Sequence, residues 1–276
     1  MTLRVRPMAP FGVELLGVDL RRDLPASRLG ELRRLIVEEG LVLAREPSMT
    51  PEEQCRLGTR FGQIETLSLD GGRRSPGVLI VSNVADDGSV LGASDARMRT
   101  LALNKRWHTD SSFREIPAAF SLLRAVRVPD TGGDTFFASL RRAWDALTPE
   151  ARTALYGLRA VHDYTDMGLP LIAHPIVRAH PESGRPGLFL SDHAPTIEGE
   201  TESRGRALLK RLLAGCTRET EVYRHTWSAG DLVLWDNRSM LHRAQGFDEQ
   251  SARTMHHVRI AGTEPVIAAT SGHPTW

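Results

Sequence analysis

Cysteine is scarce in this chain of 276 residues. There are two, Cys55 and Cys216, and they form no CxxC or other metal-binding spacing. That count excludes a multi-disulfide framework and a thiolate-ligated zinc site. The expectation is a reduced compartment with both thiols as packing residues. Charge of one sign is also not in excess. Lys plus Arg number 35 against 34 Asp plus Glu, a formal net charge of +1. Nothing global therefore draws the chain to nucleic acid or to an anionic membrane surface. No stretch approaches the roughly 20 apolar residues of a membrane span. The N-terminus, Met1 to Gly12, carries no apolar run of signal-peptide length. A cytoplasmic location is the resulting expectation. No internal repeat, low-complexity tract or Pro/Gly/Ser linker divides the chain, so residues 1–276 read as one domain.

What the chain does contain is ordinary for a soluble globular protein, with 41% hydrophobic and 25% charged residues. Leu29, Leu32, Leu35 and Ile36 recur at helical spacing and predict a helix over 27–39, stopped by Gly40. Residues 41–44 read as a short buried strand. Thr50, Pro51 and Glu53 form a helix start, with Thr50 as cap and Glu53 closing a capping box, and that helix is expected to reach about residue 61. Residues 85–101 read as a long polar loop, and a lid is expected within 66–103. From residue 120 onward short strand signals alternate with turns, at 121–128, 133–138, 187–190, 231–236 and 254–262. Helices intervene after Thr148-Pro149-Glu150 and over 200–213. This pattern predicts a mainly β barrel or jelly roll with helices packed outside. The arginine-dense stretches read as solvated helix faces.

The chemistry-bearing pattern begins at His108 and Asp110. In a strand, residues two apart point the same way, so an imidazole and a carboxylate would converge on one point. A third ligand is expected from a distant strand, and His242, after the apolar run 231–236, is the candidate. Two histidines and a carboxylate leave three octahedral positions open, the arrangement suited to Fe(II) in oxygen activation and unlike a closed zinc site. Two of those positions would chelate a 2-oxo acid and one would take O₂. The distal carboxylate of that acid needs a partner. Arg253, after the turn at 246–250, offers a two-pronged donor. Arg253, Met255, His257 and Arg259 would share one strand face.

An ordered set of motifs then resembles one family, the taurine and 2,4-dichlorophenoxyacetate (TauD/TfdA) dioxygenases. The set runs through Pro10-Phe11-Gly12-Val13-Glu14, Thr50-Pro51-Glu52-Glu53-Gln54 and Arg60-Phe61-Gly62. It continues with Trp107-His108-Thr109-Asp110, Gly132-Gly133-Asp134-Thr135, His174-Pro175 and His180-Pro181-Glu182-Ser183-Gly184. It closes with Trp235-Asp236-Asn237-Arg238, His242 and Arg253-Thr254-Met255-His256. The resemblance implies a double-stranded β-helix (jelly roll) that depends on Fe(II), with 2-oxoglutarate and O₂ as co-substrates. It implies His108, Asp110 and His242 as iron ligands, and Arg253 with Thr135 as contacts to the 2-oxoglutarate carboxylate. Asn104 matches a pocket-lining position.

Sulfonate-binding members carry a second arginine where this chain has His257, and Arg259 follows. The spacing of Arg253, Met255, His257 and Arg259 resembles the (S)-selective aryloxyalkanoate dioxygenases, as do Phe61-Gly62-Gln63-Ile64-Glu65 and Ser82-Asn83-Val84. The resemblance implies hydroxylation of a small organic acid, with aryloxyalkanoate ether cleavage as the leading candidate and release of succinate and CO₂. Asp110 supports hydroxylation, because related halogenases carry a small residue there. His257 and Arg259 are both candidates for the substrate carboxylate. An amino-acid or natural-product substrate, and a catalytically silent metal-binding homologue, are the alternatives. Relatives are often dimers or tetramers, so a homo-oligomer stays open.

Overall fold

A computed structural model describes residues 2–45, 48–66, 74–75 and 77–271. The chain folds into a mainly β architecture with flanking helices, a double-stranded β-helix. Its larger sheet has eight strands in the order Arg4–Pro7, Val13–Leu16, Leu41–Arg45, Asp231–Asp236, Ala118–Arg127, Thr254–Ala261, Val78–Ser82 and Arg74–Ser75. The opposing sheet is the antiparallel set Val222–His225, Thr135–Ser139 and Met240–Ala244.

Strand alternation explains how this sandwich fills. In Asp231–Asp236, Leu232 and Leu234 point outward and join Leu32, Ile36, Leu57 and Val258 beneath the helices Ala26–Glu39 and Pro51–Thr59. Val233 and Trp235 point inward. There they meet Leu123 and Met255 of the same sheet and Phe137 and Met240 of the opposing one. Leu241 faces away from this interior, toward Trp144, Leu209 and Leu212 of the helices Leu140–Asp145 and Glu202–Cys216. The next residue, His242, therefore points inward.

Local signals act as the sequence indicates. Thr50 accepts from the Glu53 amide at 3.2 Å, and the Glu53 carboxylate accepts from the Thr50 amide at 2.8 Å. Gly40 takes the left-handed conformation that ends the first helix. Cys216 is buried and Cys55 half-buried, and both are free thiols. Arg204, Arg206 and Arg211 are exposed along their helix.

Two expectations need correction. The stretch read as a loop over 85–101 contains the helix Ala96–Leu103, preceded by a Val84–Val90 bridge. Its apolar residues do not gather on one face, so periodicity does not reveal it. The helix expected after Thr148-Pro149-Glu150 is where the residues place it, over Pro149–Thr153. His108 and Asp110 do not share a continuous strand: His108 is an isolated bridge residue and Asp110 opens a turn. Of the lid expected within 66–103, residues 67–73 and 76 lie outside the described residues.

Candidate metal centre

The centre is assembled by one backbone pairing and one turn. His242 sits in the middle of Met240–Ala244, and its amide donates to the His108 carbonyl at 2.9 Å. The His108 amide returns a bond to the His242 carbonyl at 3.0 Å. Two residues on, the turn brings the Asp110 carboxylate to the same point. Ser111, which follows, is held at φ 58°, the only non-glycine with positive φ among the described residues. Donor atoms of His108, Asp110 and His242 all lie within 4.8 Å of one another, and all three residues are buried. His242 Nε2 stands 3.8 Å from Asp110 Oδ1.

The donors are presented in the protonation states a cation needs. His108 Nδ1 lies 2.7 Å from the Arg106 carbonyl, so that nitrogen carries the proton and Nε2 keeps its lone pair. Burial holds the His108 imidazole below its ordinary pKa and the His242 imidazole well below it, so both are neutral near pH 7. Burial pushes the Asp110 carboxyl upward, but His257, His242 and Arg259 outweigh it and hold the group well below the usual carboxylate range. Asp110 Oδ2 accepts from Ser121 Oγ at 2.6 Å, and Ser121 Oγ accepts from Asn237 Nδ2 at 2.8 Å. Asn237 Oδ1 in turn accepts from the Trp235 indole at 2.8 Å and the Asp110 amide at 3.2 Å. Asn237 thus braces both the backbone and, through Ser121, the carboxylate of one donor residue.

Arg253 and Thr135 line the same cavity. Arg253 is buried, forms no ion pair among the described residues, and leaves Nε without a hydrogen-bond partner. Burial lowers its pKa to about 10. Its terminal nitrogen donates to the Gly133 carbonyl at 3.1 Å. Its backbone is clamped to Asn83, whose Oδ1 accepts from the Arg253 amide at 2.8 Å and whose own amide donates back at 3.2 Å. Gly133 has φ 73°, and a Cβ there would stand 3.2 Å from Arg253 Nε. The glycine is therefore required both by its conformation and by the passing guanidinium. Thr135 Oγ1 accepts from the Trp227 indole at 2.9 Å, which leaves its own proton to donate elsewhere. A buried cation without a counter-ion, beside a hydroxyl with a proton to give, is a fitting cradle for a carboxylate.

Asn104, His257 and Arg259 also line this cavity, so all eight sequence-derived site residues are brought together. Arg253, Met255, His257 and Arg259 share the predicted face. His257 stacks on Trp235 with ring centroids 5.6 Å apart and places Nε2 3.4 Å from Asp110 Oδ2. Arg259 lies 3.8 Å from the buried Glu65 carboxylate, which also faces Arg114 at 3.6 Å and accepts from Ser111 Oγ at 2.6 Å. Leu79, Val81, Leu103 and Phe113 make the remaining wall largely apolar. The sequence does not single out Ser121, Trp227 or Phe113, nor His193, which lines the cavity. Asn237 and Asn83 were visible only as members of recognised motifs.

The family model described as taurine catabolism dioxygenase TauD, TfdA family matches residues 4–260. An alpha-ketoglutarate-dependent 2,4-dichlorophenoxyacetate dioxygenase of Cupriavidus pinatubonensis is 34% identical, over 92% of this chain and 96% of its own. An (S)-phenoxypropionate/alpha-ketoglutarate-dioxygenase of Sphingobium herbicidovorans is 33% identical, over 96% of each. Among solved structures, AAD-2 in complex with Mn(II) and N-oxalylglycine superposes with a TM-score of 0.90 at 34% identity, covering 97% of this chain and 100% of that one.

Proposed function

The chain belongs to the TauD/TfdA family of dioxygenases and is an oxidoreductase dependent on Fe(II) and 2-oxoglutarate, and from this premise we propose that it hydroxylates a small organic acid of the aryloxyalkanoate type. One observation carries the reading. The donor set His108, Asp110 and His242, the unpaired Arg253 and a wall of apolar side chains all line one cavity. The names of the relatives from Cupriavidus and Sphingobium support the substrate class.

In this reading His108, Asp110 and His242 hold the iron, and Arg253 with Thr135 receives the distal carboxylate of 2-oxoglutarate. Iron bound with 2-oxoglutarate supplies the oxidising power from O₂, with succinate and CO₂ as by-products. The chain's residues do the positioning. Ser121 and Asn237 fix the Asp110 carboxylate. Trp227 turns the Thr135 proton toward the co-substrate. Leu79, Val81, Leu103 and Phe113 hold an aryl body and keep water from the reacting carbon. His257 and Arg259 take the substrate carboxylate, and Asn104 closes the pocket beside the helix Ala96–Leu103. Arg259 is part-neutralised by Glu65, which Arg114 shares, so the three groups together retain one positive charge toward an anion. Hydroxylation at the carbon beside an ether oxygen gives a hemiacetal-type product that collapses to a phenol and a 2-oxo acid. Two free thiols suit a reducing, cytoplasmic setting. Among the described residues no helix is long and apolar enough to cross a membrane.

The test is anaerobic. Fe(II) and then 2-oxoglutarate are added, and the weak visible charge-transfer band of the chelate is recorded with and without phenoxyalkanoates. The band should form in the wild type and be lost in His108→Ala. A panel of phenoxyalkanoates should shift it and release phenol once O₂ is admitted. Folded, iron-loaded protein without the band would refute the cofactor assignment. A band that no phenoxyalkanoate perturbs would refute the substrate class alone.

A further inference from the structure

A second cavity, of about 120 Å³, lies on the helix-covered side of the larger sheet and shares no lining residue with the metal centre. Phe120, whose outward position alternates with the inward Ser121, forms part of its floor. Three arginines surround it: Arg33, Arg178 and Arg238. Two are neutralised. Arg33 grips the Glu182 carboxylate with two bonds of 2.8 and 2.9 Å. Arg238 takes both oxygens of Asp236 at 2.8 and 2.7 Å, and reaches Glu182 at 2.7 Å. Both guanidinium groups also lie over the Phe120 ring, at 4.9 and 4.4 Å.

Arg178 is different. It is 4% exposed, yet its side chain has no hydrogen bond and no ion pair among the described residues, and its Nε is buried without a partner. Its guanidinium lies 5.2 Å from the Phe189 ring. An isolated cation taken out of water is too costly to persist without a compensating group. Burial depresses its pKa to about 10, which leaves it charged at neutral pH. The charges facing it are Asp236, already held by Arg238 and His180, the like charge of Arg238 itself, and the exposed rim carboxylate Glu264; neither carboxylate neutralises it. Neither Asp236 nor Glu264 lies within ion-pair distance of it.

We propose that this cavity is a binding site for a compact oxyanion, with the Arg178 guanidinium as its principal ligand and Glu264 as a competing charge at the entrance. The cavity holds several waters' worth of space, enough for a tetrahedral or planar anion. The planar fork of Arg178 suits two oxygens at once, which either an inorganic anion or a small carboxylate presents.

Calorimetric titration of the anaerobic Fe(II) protein with sulfate tests this, at constant ionic strength and with 2-oxoglutarate saturating so that Arg253 is occupied. A parallel titration uses acetate in place of sulfate. One saturable equivalent of sulfate or acetate per chain is expected, and the tighter of the two identifies the source as inorganic or carboxylic. Affinity should fall at least tenfold in Arg178→Met and rise severalfold in Glu264→Gln, while the visible chelate band stays unchanged in both. Binding that survives unchanged in Arg178→Met places the anion elsewhere and overturns the proposal. If Arg178→Met fails to fold, Glu264→Gln decides: unchanged affinity there, or no saturable binding of either anion to wild type, overturns it equally.

Discussion

His108 and His242 are hydrogen-bonded to each other twice through their backbones, at 3.0 and 2.9 Å, and their rings lie with centroids 4.2 Å apart. The two imidazole donors are therefore fixed by main chain, whereas Asp110 depends on side chains. Ser121→Ala removes the 2.6 Å bond to its carboxylate. Iron affinity should fall roughly tenfold to a hundredfold. The fold should lose only about 1–3 kcal/mol. Iron titration and thermal unfolding of the same variant separate these two effects.

Thr135 offers a comparable test at the other end of the cavity. Trp227→Phe keeps an aromatic ring but deletes the donor to Thr135 Oγ1. The threonine proton is then no longer directed. The KM for 2-oxoglutarate should rise about tenfold, equivalent to 1.4 kcal/mol, with a smaller change in kcat. An unchanged KM would show that the indole serves packing alone.

Two glycines with the same backbone angle separate strain from obstruction. Gly133 and Gly168 both have φ 73°, but a Cβ at Gly133 meets Arg253 at 3.2 Å, and one at Gly168 meets nothing within 4 Å. Each substitution by alanine should cost about 1–2 kcal/mol of stability. Gly133→Ala alone should also raise the KM for 2-oxoglutarate.

Acid should destabilise the fold through buried histidines. Burial holds His162 well below its ordinary pKa of 6.5 and lowers His174 to about 4. Among the described residues, neither ring nitrogen of His162 has a hydrogen-bond partner. For a group whose folded pKa is depressed in this way, the unfolded chain binds the extra proton. The stability is thus complete above pH 6.5 and is lost as pH falls from there toward 4, by roughly 1.4 kcal/mol per unit for each group. Thermal midpoints of wild type and His162→Leu should converge, or cross in favour of the variant, as pH drops from 8 to 5.

How much of this was legible in the sequence follows from range. Capping at Thr50 and the stop at Gly40 are local, and both stand where the residues indicate. The inward register of Arg253, Met255, His257 and Arg259 follows from strand alternation. The donor triad was found by spacing and motif, but the geometry joining His108 to Asp110 is a bridge followed by a strained turn, which no two-residue periodicity encodes. The helix Ala96–Leu103 escaped because its short, mixed-polarity sequence has no marked apolar stripe. Ser121 and Trp227 could not be picked out because their partners lie far off in the chain. A serine in an apolar strand and a tryptophan before a turn carry no sign of what they will touch.

Glu65 is the feature with the widest reach. It does not line the cavity, yet its carboxylate stands between Arg259 and Arg114 and anchors Ser111 beside the Asp110 turn. How strongly Arg259 attracts an anion is therefore set from behind the wall, by a residue no substrate meets. A change there would alter the electrostatic preference of the pocket and free the Ser111 hydroxyl at its wall. Charge and shape at this end of the pocket are thus governed together by one residue outside it.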